Sequence, residues 1–385
     1  MRDSLLQNMT RGLNKHRKKS LMSIMPLHKY LINIFLVLSC LLTGCITGSS
    51  TGQVNNDAQL KEEIRRSVER YALPLTAWEI ANFLGPPGAN SQNSQGSVDL
   101  AGLQENIAKM LKEEDINVFP PLRVRLESPP LLLVISPRQK IAYFDRLLLL
   151  PGLTAEEIEE VENSPDWLNL SSLVVKLGGF GAAYPAIVSP QMPAKQVINA
   201  AVEEWAHQYL AFKPLGFLYL LDSLGFSQEP AVITMNETLA GMIAEEIGHK
   251  IYQRYYMDTL EADAGQSMEG FDFDIEMSQT RHKVDELLAS GNIEEAENYM
   301  QSRRLFFNQH GYGIRKLNQA YFAFHGIYGQ DPAAASPVYQ DMKIMRKAFP
   351  SLAQFVAQVS AMTGYAQLED AVRLLSNETL PVPQP

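Results

Sequence analysis

The hydrophobic periodicity of this 385-residue chain changes near Pro193, and this change constrains the fold more than any other feature of the sequence. Upstream, residues 122–127 (LRVRLE) alternate in polarity, residues 131–135 (LLLVI) form an apolar run, and residues 142–150 follow a turn. These patterns predict three strands, paired antiparallel because the links between them are short. A fourth strand is predicted at residues 172–177 (SLVVKL). Downstream the spacing is helical, so strands precede helices and the chain is predicted to form an α+β domain.

Three further helical segments are predicted before Pro193. Residues 57–84 place apolar side chains at intervals of three and four and end at a Gly-Pro-Pro-Gly turn, and residues 100–114 resume this spacing after a polar loop. Residues 154–162 begin with an acidic first turn, which favours a helix because carboxylates stabilise its N-terminal end. We therefore predict an N-terminal helical region at residues 57–115 and a main domain at residues 116–385.

The N-terminal segment is predicted to direct the chain to a membrane. Residues 31–42 (LINIFLVLSCLL) are apolar and follow basic residues, as in a secretory signal, whereas a membrane-spanning helix needs about 20 apolar residues. The run ends in LTGC at Cys45, which resembles the lipobox of bacterial lipoproteins and implies cleavage before Cys45 and a lipid on its sulfur. We expect a signal peptide at residues 1–44 and a flexible tether at residues 45–56. The alternative is an uncleaved apolar anchor.

The expected location is therefore the bacterial cell envelope, outside the cytoplasm, with the lipid membrane as a partner through Cys45. The chain carries a net charge of −10, and seven of its 33 basic residues lie before Cys45. The rest is strongly acidic and repels phosphate backbones, so nucleic acid is not an expected partner. The cysteines of the chain are Cys40 and Cys45, so the main domain has no disulfide, cysteine zinc site or cysteine nucleophile.

Two acidic residues and a histidine on two predicted helices form the strongest chemical signal. Glu203 and His207 are four residues apart, so their side chains lie on one helix face, one turn apart. A second helix carries Glu237, followed on the same face by the small residues Ala240 and Gly241, which would let the two helices approach closely. Three ligating side chains from two packed helices can converge on one divalent ion.

Residues 202–210 and the downstream run NETLAGMIAEEIG, which begins at Asn236, resemble the gluzincin branch of the zincin metallopeptidases. That signature is HExxH on one helix and a Glu ligand on the next, often within Asn-Glu. The chain is also similar to uncharacterised predicted bacterial aminopeptidases that carry a distal Leu-Asn-x-Ala segment, matched here at residues 317–320. The resemblance covers residues 172–375. It implies a zincin-like fold, in which a small antiparallel or mixed sheet precedes a mostly helical active-site region, and a metal-dependent peptidase acting on peptides or proteins.

The resemblance also implies a role for each motif residue. Glu203, His207 and Glu237 would be the metal ligands, and Glu204 the general base that activates the attacking water. Zinc is the implied metal. Manganese and iron are alternatives, because Glu203 stands where the signature has its first histidine and a more carboxylate-rich site favours harder metals.

Two further groups of residues are expected at the substrate. Gly178 and Gly179 end the strand at residues 172–177, whose unpaired edge would bind an extended peptide as the substrate-binding strand of zincins does. Tyr321, His325 and Tyr328 are candidates for the donor that stabilises the oxyanion, and spacing alone does not choose among them.

Glu203 also leaves two other hypotheses open. An additional carboxylate opposes acidification of bound water, so the chain could be a catalytically inactive zincin-like lipoprotein that serves as a binding or envelope-interaction module. It could also be a helical solute-binding lipoprotein without a metal. That hypothesis predicts that Glu203, His207 and Glu237 do not converge.

Overall fold

The computed structural model describes residues 53–74, 99–223, 229–257 and 271–378. The chain divides into two units, Met1–Ser49 and Ser50–Pro385, and all described residues belong to the second. The predicted signal peptide, Cys45, most of the tether and the polar loop after Gly85 lie outside the described ranges. Within them, no helix combines the length and the apolar character needed to cross a membrane.

The strands form two small sheets, which together with the helices confirm the α+β prediction. The strands are β1 (Val124–Leu126), β2 (Leu131–Pro137), β3 (Asp145–Leu149), β4 (Leu170–Lys176), β5 (Gly179–Phe180) and β6 (Ala186–Val188). In one sheet, ordered β3-β2-β4, both outer strands run antiparallel to β2. In the other, ordered β1-β6-β5, β6 runs parallel to β1 and antiparallel to β5.

Strand β1 does not join the antiparallel sheet, so the prediction that the first three strands pair with one another is wrong. It pairs in parallel with β6, with Val124 opposite Ala186. The link to β2 contains Pro129 and Pro130, which lack amide hydrogens and hold the residue before them extended. A tight hairpin turn therefore cannot form there, and β1 enters the second sheet.

The described residues form twelve α-helices. Three precede β4: α1 (Gln53–Ser67), α2 (Leu100–Glu113) and α3 (Ala155–Asn163). Nine follow β6, as the helical spacing predicts: α4 (Ala194–Leu210), α5 (Pro214–Ser223), α6 (Pro230–Ile251), α7 (Phe273–Ala289), α8 (Ile293–Gln309), α9 (Gln319–His325), α10 (Val338–Ala348), α11 (Leu352–Ser360) and α12 (Tyr365–Glu378). Helix α3 has the predicted acidic first turn, in which Thr154 and Glu157 form a reciprocal capping box.

Helix α1 differs from its prediction at both ends. It begins at Gln53, inside the predicted tether, and ends at Ser67 rather than near residue 84. After Ser67 the chain turns so that Ala72 pairs with Leu149 of β3. Buried Tyr71 packs into the core beneath the antiparallel sheet, and this packing outweighs the local helical pattern.

Helices α4 and α6 cross closely and hold the candidate site between them. Trp205 anchors α4, because its ring is 1% exposed and its indole N–H donates a hydrogen bond to the Pro120 carbonyl (3.0 Å). The helices approach closely where Gly248 of α6 meets Asn199 of α4. A Cβ on Gly248 would lie 2.0 Å from Asn199 Oδ1, so a larger residue at this crossing would have to displace the Asn199 side chain.

Side chains cover the outer edge of β4. The Val174 N–H donates to Glu162 Oε1 (2.6 Å), Arg315 donates to the Val174 carbonyl (3.1 Å), and Asn318 Nδ2 donates to the Ser172 carbonyl (2.8 Å). These backbone groups already have partners within the chain. The prediction that this strand offers an unpaired edge to an extended peptide is therefore wrong.

We expect Glu162→Gln to lower the free energy of unfolding by about 2 kcal/mol at pH 7, because an amide cannot make both charged contacts with Arg315. Burial raises the pKa of Glu162, but hydrogen bonds from Arg315 and the Val174 N–H bring it below its ordinary value. This stabilisation is therefore present above the unfolded-state pKa of about 4.3, and it is lost as the pH falls through the folded-state pKa.

Urea unfolding measured from pH 7 down to pH 2 tests this expectation. The difference between wild type and Glu162→Gln should shrink as the pH falls. Glu159→Gln, an exposed carboxylate on the same helix, is the control and should stay within about 0.5 kcal/mol of wild type. A difference that does not change with pH would contradict the ionic origin of the effect.

Candidate metal centre

Glu203, His207 and Glu237 converge, as the sequence predicts. Their potential ligand atoms all lie within 4.8 Å of one another, and His207 Nε2 is 3.3 Å from Glu237 Oε2. Helix α4 contributes the first two side chains from successive turns, and α6 contributes the third. One imidazole and two carboxylates can hold a divalent ion and leave a coordination position for water. The metal-free hypothesis predicted no such convergence and is contradicted on this point.

Neighbouring groups fix the orientation of two of the three side chains. His207 Nδ1 lies 3.0 Å from Asn236 Oδ1, and since an amide oxygen only accepts hydrogen bonds, Nδ1 carries the hydrogen. The Nε2 atom therefore faces Glu237. Tyr219 stacks on the His207 ring, with centroids 5.8 Å apart, and its hydroxyl donates to Glu237 Oε1 at 2.7 Å. Such outer contacts are typical of metal-binding histidines and carboxylates.

Glu203 lacks any such contact. It is half-buried and makes no hydrogen bond to any part of the chain that the structure describes. Burial raises its pKa above the ordinary value, since a carboxylate with no hydrogen-bond donor is poorly stabilised away from water. A cation between Glu203 and Glu237 would supply the missing partner, so the donor set fits a divalent metal ion.

In the metal-free centre, His207 and Glu237 partly balance each other's charge. Burial tends to lower the pKa of His207, but the Glu237 carboxylate beside it, together with Glu204 and Glu203, raises it to about 10. Burial tends to raise the pKa of Glu237, and the His207 imidazolium brings it below its ordinary value. An imidazolium thus balances one carboxylate, and a divalent ion would have to displace its proton.

Glu204 lies beside the three ligands, against a glycine-rich segment. Burial raises the pKa of Glu204 to about 8, although His207 and the Gly181 N–H oppose the rise. A Cβ on Gly179 would lie 2.2 Å from Glu204 Oε1, and one on Gly181 would lie 2.7 Å from Oε2. Both positions therefore need glycine for the carboxylate to lie where it does.

The remaining glycine of the predicted pair lies further from this carboxylate. A Cβ on Gly178 would meet Met192, 3.1 Å from its sulfur, rather than Glu204. Gln208 ties the glycine-rich segment to α4, since its Nε2 donates to the carbonyls of Gly181 (3.1 Å) and Ala183 (2.7 Å). Strand β5, which contains Gly179, lies at the edge of its sheet.

The three candidates for the oxyanion donor lie in different surroundings. Burial, followed by the charges of Glu237 and Glu203, raises the pKa of Tyr328 well above its ordinary value, which places this tyrosine in the field of the ligands. Tyr321 instead stacks on His325, with centroids 4.1 Å apart, and His325 Nδ1 lies 2.8 Å from Asp331 Oδ2. Among the described residues, no hydrogen bond or ion pair joins Tyr321 or His325 to the three ligands.

Sequence reasoning missed three residues around the centre. Tyr219 lies in the apolar segment PLGFLYLLDS, where its pattern is that of a core residue. Tyr143 and Arg146 come from the β3 region, and their spacing is that of an ordinary strand. Arg146 lowers the pKa of Glu237 and of Tyr219, so its charge lies within electrostatic range of the ligands. Nothing in the spacing of these residues links them to positions 203–237.

Comparison of the chain with protein-family models, with curated proteins and with solved structures found no match.

Proposed function

We propose that this protein is a membrane-anchored, extracytoplasmic, metal-dependent peptidase in which Glu204 is the general base. The convergence of Glu203, His207 and Glu237 within 4.8 Å carries the proposal, because it provides a ligand set beside the half-buried Glu204 carboxylate. We expect one divalent ion. Zinc suits an imidazole combined with carboxylates, and the carboxylate-rich set also suits manganese or iron.

The residues of the centre have distinct roles in this proposal. A bound ion would polarise the peptide carbonyl and lower the pKa of the attacking water. Glu204 accepts the proton of that water. Its pKa is about 8 in the metal-free protein, and a bound ion would lower it towards the neutral range in which a group can both take up and return a proton. Burial and the neighbouring carboxylates keep the Tyr328 hydroxyl protonated, so it can donate a hydrogen bond to the developing oxyanion.

Metal-dependent hydrolysis by the full chain, purified in detergent, tests the proposal. After chelation the protein should not cleave a mixed set of fluorogenic peptides, and one equivalent of zinc, manganese or iron should restore cleavage. Stoichiometric metal binding without cleavage would favour the inactive zincin-like lipoprotein instead, a possibility that Glu203 motivates. Cleavage that chelation does not affect would overturn the metal mechanism.

Gly179→Ala is expected to lower kcat/KM by about 10²-fold, because the new Cβ would displace the Glu204 carboxylate by about an ångström or more. Metal content should not change, since the three atoms nearest to this Cβ position all belong to Glu204, which is not one of the three ligands. Gly313→Ala is the matched control, because a Cβ there meets no atom within 4 Å. Full activity in Gly179→Ala, or loss of its metal, would contradict the assigned position of Glu204.

A further inference from the structure

Arg146 is a half-buried arginine that forms a long ion pair with Asp222 but donates no hydrogen bond to the part of the chain that the structure describes. Its side chain is 27% exposed, and its guanidinium lies over the Tyr143 ring, 5.8 Å from the centroid. The nearest carboxylate is Asp222 of α5, 3.8 Å away, beyond the roughly 3.2 Å of a normal N–H···O hydrogen bond. Arg146 donates no hydrogen bond to any residue within the described ranges.

The lack of hydrogen bonds within the described ranges distinguishes Arg146 from the other half-buried arginines. The other half-buried arginines within the described ranges each donate at least one hydrogen bond to the protein: Arg125, Arg138, Arg281, Arg303, Arg304 and Arg346. In Arg138 and Arg346, Nε and Nη2 of the guanidinium both donate to one carboxylate, that of Glu297 and that of Glu246. A guanidinium left without such a partner is suited to an external anion.

Arg146 is connected to the candidate metal centre through α5. Its neighbour Asp222 is three residues after Tyr219, so the two side chains lie on one face of α5. The Tyr219 hydroxyl donates to Glu237 Oε1 (2.7 Å). The guanidinium also lowers the pKa of Glu237, in agreement with its place beside the centre.

The charges around Arg146 limit which chemical groups of a substrate can bind there. Glu203, Glu204, Glu237 and Asp222 contribute four carboxyl groups to this part of the molecule, which a bound divalent ion would balance only in part. Away from the ion, an anionic group of a substrate is therefore favoured next to Arg146. A carboxylate presents two oxygens in a plane, which matches the flat fork of a guanidinium. The contact of Arg146 with Asp222 is an ion pair at 3.8 Å without a hydrogen bond, so the hydrogen-bond donors of the guanidinium remain available to such a carboxylate.

We propose that Arg146 binds a carboxylate of the peptide substrate, so that the enzyme prefers peptides with a free carboxylate close to the scissile bond. This inference rests on the proposed peptidase function. The carboxylate is either that of the peptide C-terminus or that of an Asp or Glu side chain, since both present the same chemistry to the guanidinium.

The test uses the zinc-loaded full chain and three peptides that differ only in their carboxylates. One has a free C-terminus and no acidic side chain, one has a C-terminal amide and an internal Asp, and one has a C-terminal amide with Asn in place of Asp. Wild type should cleave one of the first two with a kcat/KM at least about tenfold higher than the third. Which of the two it prefers identifies the source of the carboxylate.

Arg146→Gln should lose this preference, mainly through a higher KM for the peptide that wild type prefers. Arg146→Lys keeps the positive charge but loses the planar pair of N–H donors, so it should retain part of the preference. Arg65→Gln is the matched control, since Arg65 is an exposed arginine that pairs with Asp145, next to Arg146 in the chain.

The two proposals fail in different ways. If wild type cleaves all three peptides equally, or if Arg146→Gln slows all three equally, the role of Arg146 is overturned and the peptidase proposal stands. If wild type cleaves none of the three or of the mixed set, the peptidase proposal is overturned and this inference with it.

Discussion

Glu204→Gln is expected to lower kcat/KM for peptide hydrolysis by about 10²–10⁴-fold without loss of metal, because it removes the proton acceptor and keeps the shape of the side chain. The amide oxygen can still accept a hydrogen bond from the Gly181 N–H and still fits against Gly179. Steady-state kinetics and elemental analysis of the same preparation measure both properties. Glu245→Gln, an exposed carboxylate on α6, is the control and should behave as wild type.

The possible results for Glu204→Gln distinguish a general base from a metal ligand at position 204. Retained hydrolysis would show that another group accepts the proton. Loss of the metal would show that Glu204 is a ligand, in which case Glu203 would become the candidate for the base. Loss of hydrolysis with the metal retained is the result that agrees with the proposed mechanism.

The same substitution should change how the stability of the metal-free protein depends on pH. The pKa of Glu204 rises from about 4.3 in the unfolded chain to about 8 in the folded chain, so the folded state holds the proton between these values. Stability arising from this group therefore falls as the pH rises from about 4.3 to about 8. Glu204→Gln should remove this part of the slope in urea unfolding measured in the presence of a chelator.

His207→Ala is expected to abolish stoichiometric metal binding. The imidazole is the nitrogen ligand of the set, and its loss should weaken binding by more than the roughly 10–100-fold effect of removing an outer-shell partner. Asn236→Ala, which removes the hydrogen bond to His207 Nδ1, should show that smaller effect. His282→Ala, on the exposed face of α7, is the control.

Elemental analysis and calorimetric titration with zinc measure these differences. Because the pKa of His207 is about 10 in the metal-free protein, zinc must displace its proton at pH 7.5, and we expect about one proton released per ion from this residue. The apparent affinity should then rise with pH towards 10. One equivalent of metal in folded His207→Ala, or none in reconstituted wild type, would overturn the proposed centre.

Several parts of this arrangement follow from local sequence pattern. The helical spacing of residues 194–210 places Glu203 and His207 on one face whatever the rest of the chain does, because 3.6 residues complete a turn. The apolar run from Leu131 predicts a buried strand, since both faces of β2 are covered. Glu237 among small residues indicates a face on which another helix packs closely.

Other parts depend on contacts between distant residues, which no local period encodes. Strand β1 pairs with β6, some 60 residues away. Glu162 and Arg315 meet at the edge of β4 only because α3 and the segment before α9 pack there, and this packing covers the strand that the sequence offered as a peptide-binding edge.

The sequence by itself determined the α+β class, the helices of the centre and the common face of Glu203 and His207, because periodicity controls which residues of one helix share a face. Glu237 was predicted from the small residues beside it and from the motif resemblance, and its contact with the other two depends on how the helices pack. The tertiary structure alone decided that Glu204 lies against Gly179, that Tyr219 orients Glu237, and that the Arg146 guanidinium lies 3.8 Å from Asp222 of α5. These features depend on how separate helices and strands pack against each other. Packing sets the burial and the neighbours of each charged group, and these in turn set its pKa and its contacts.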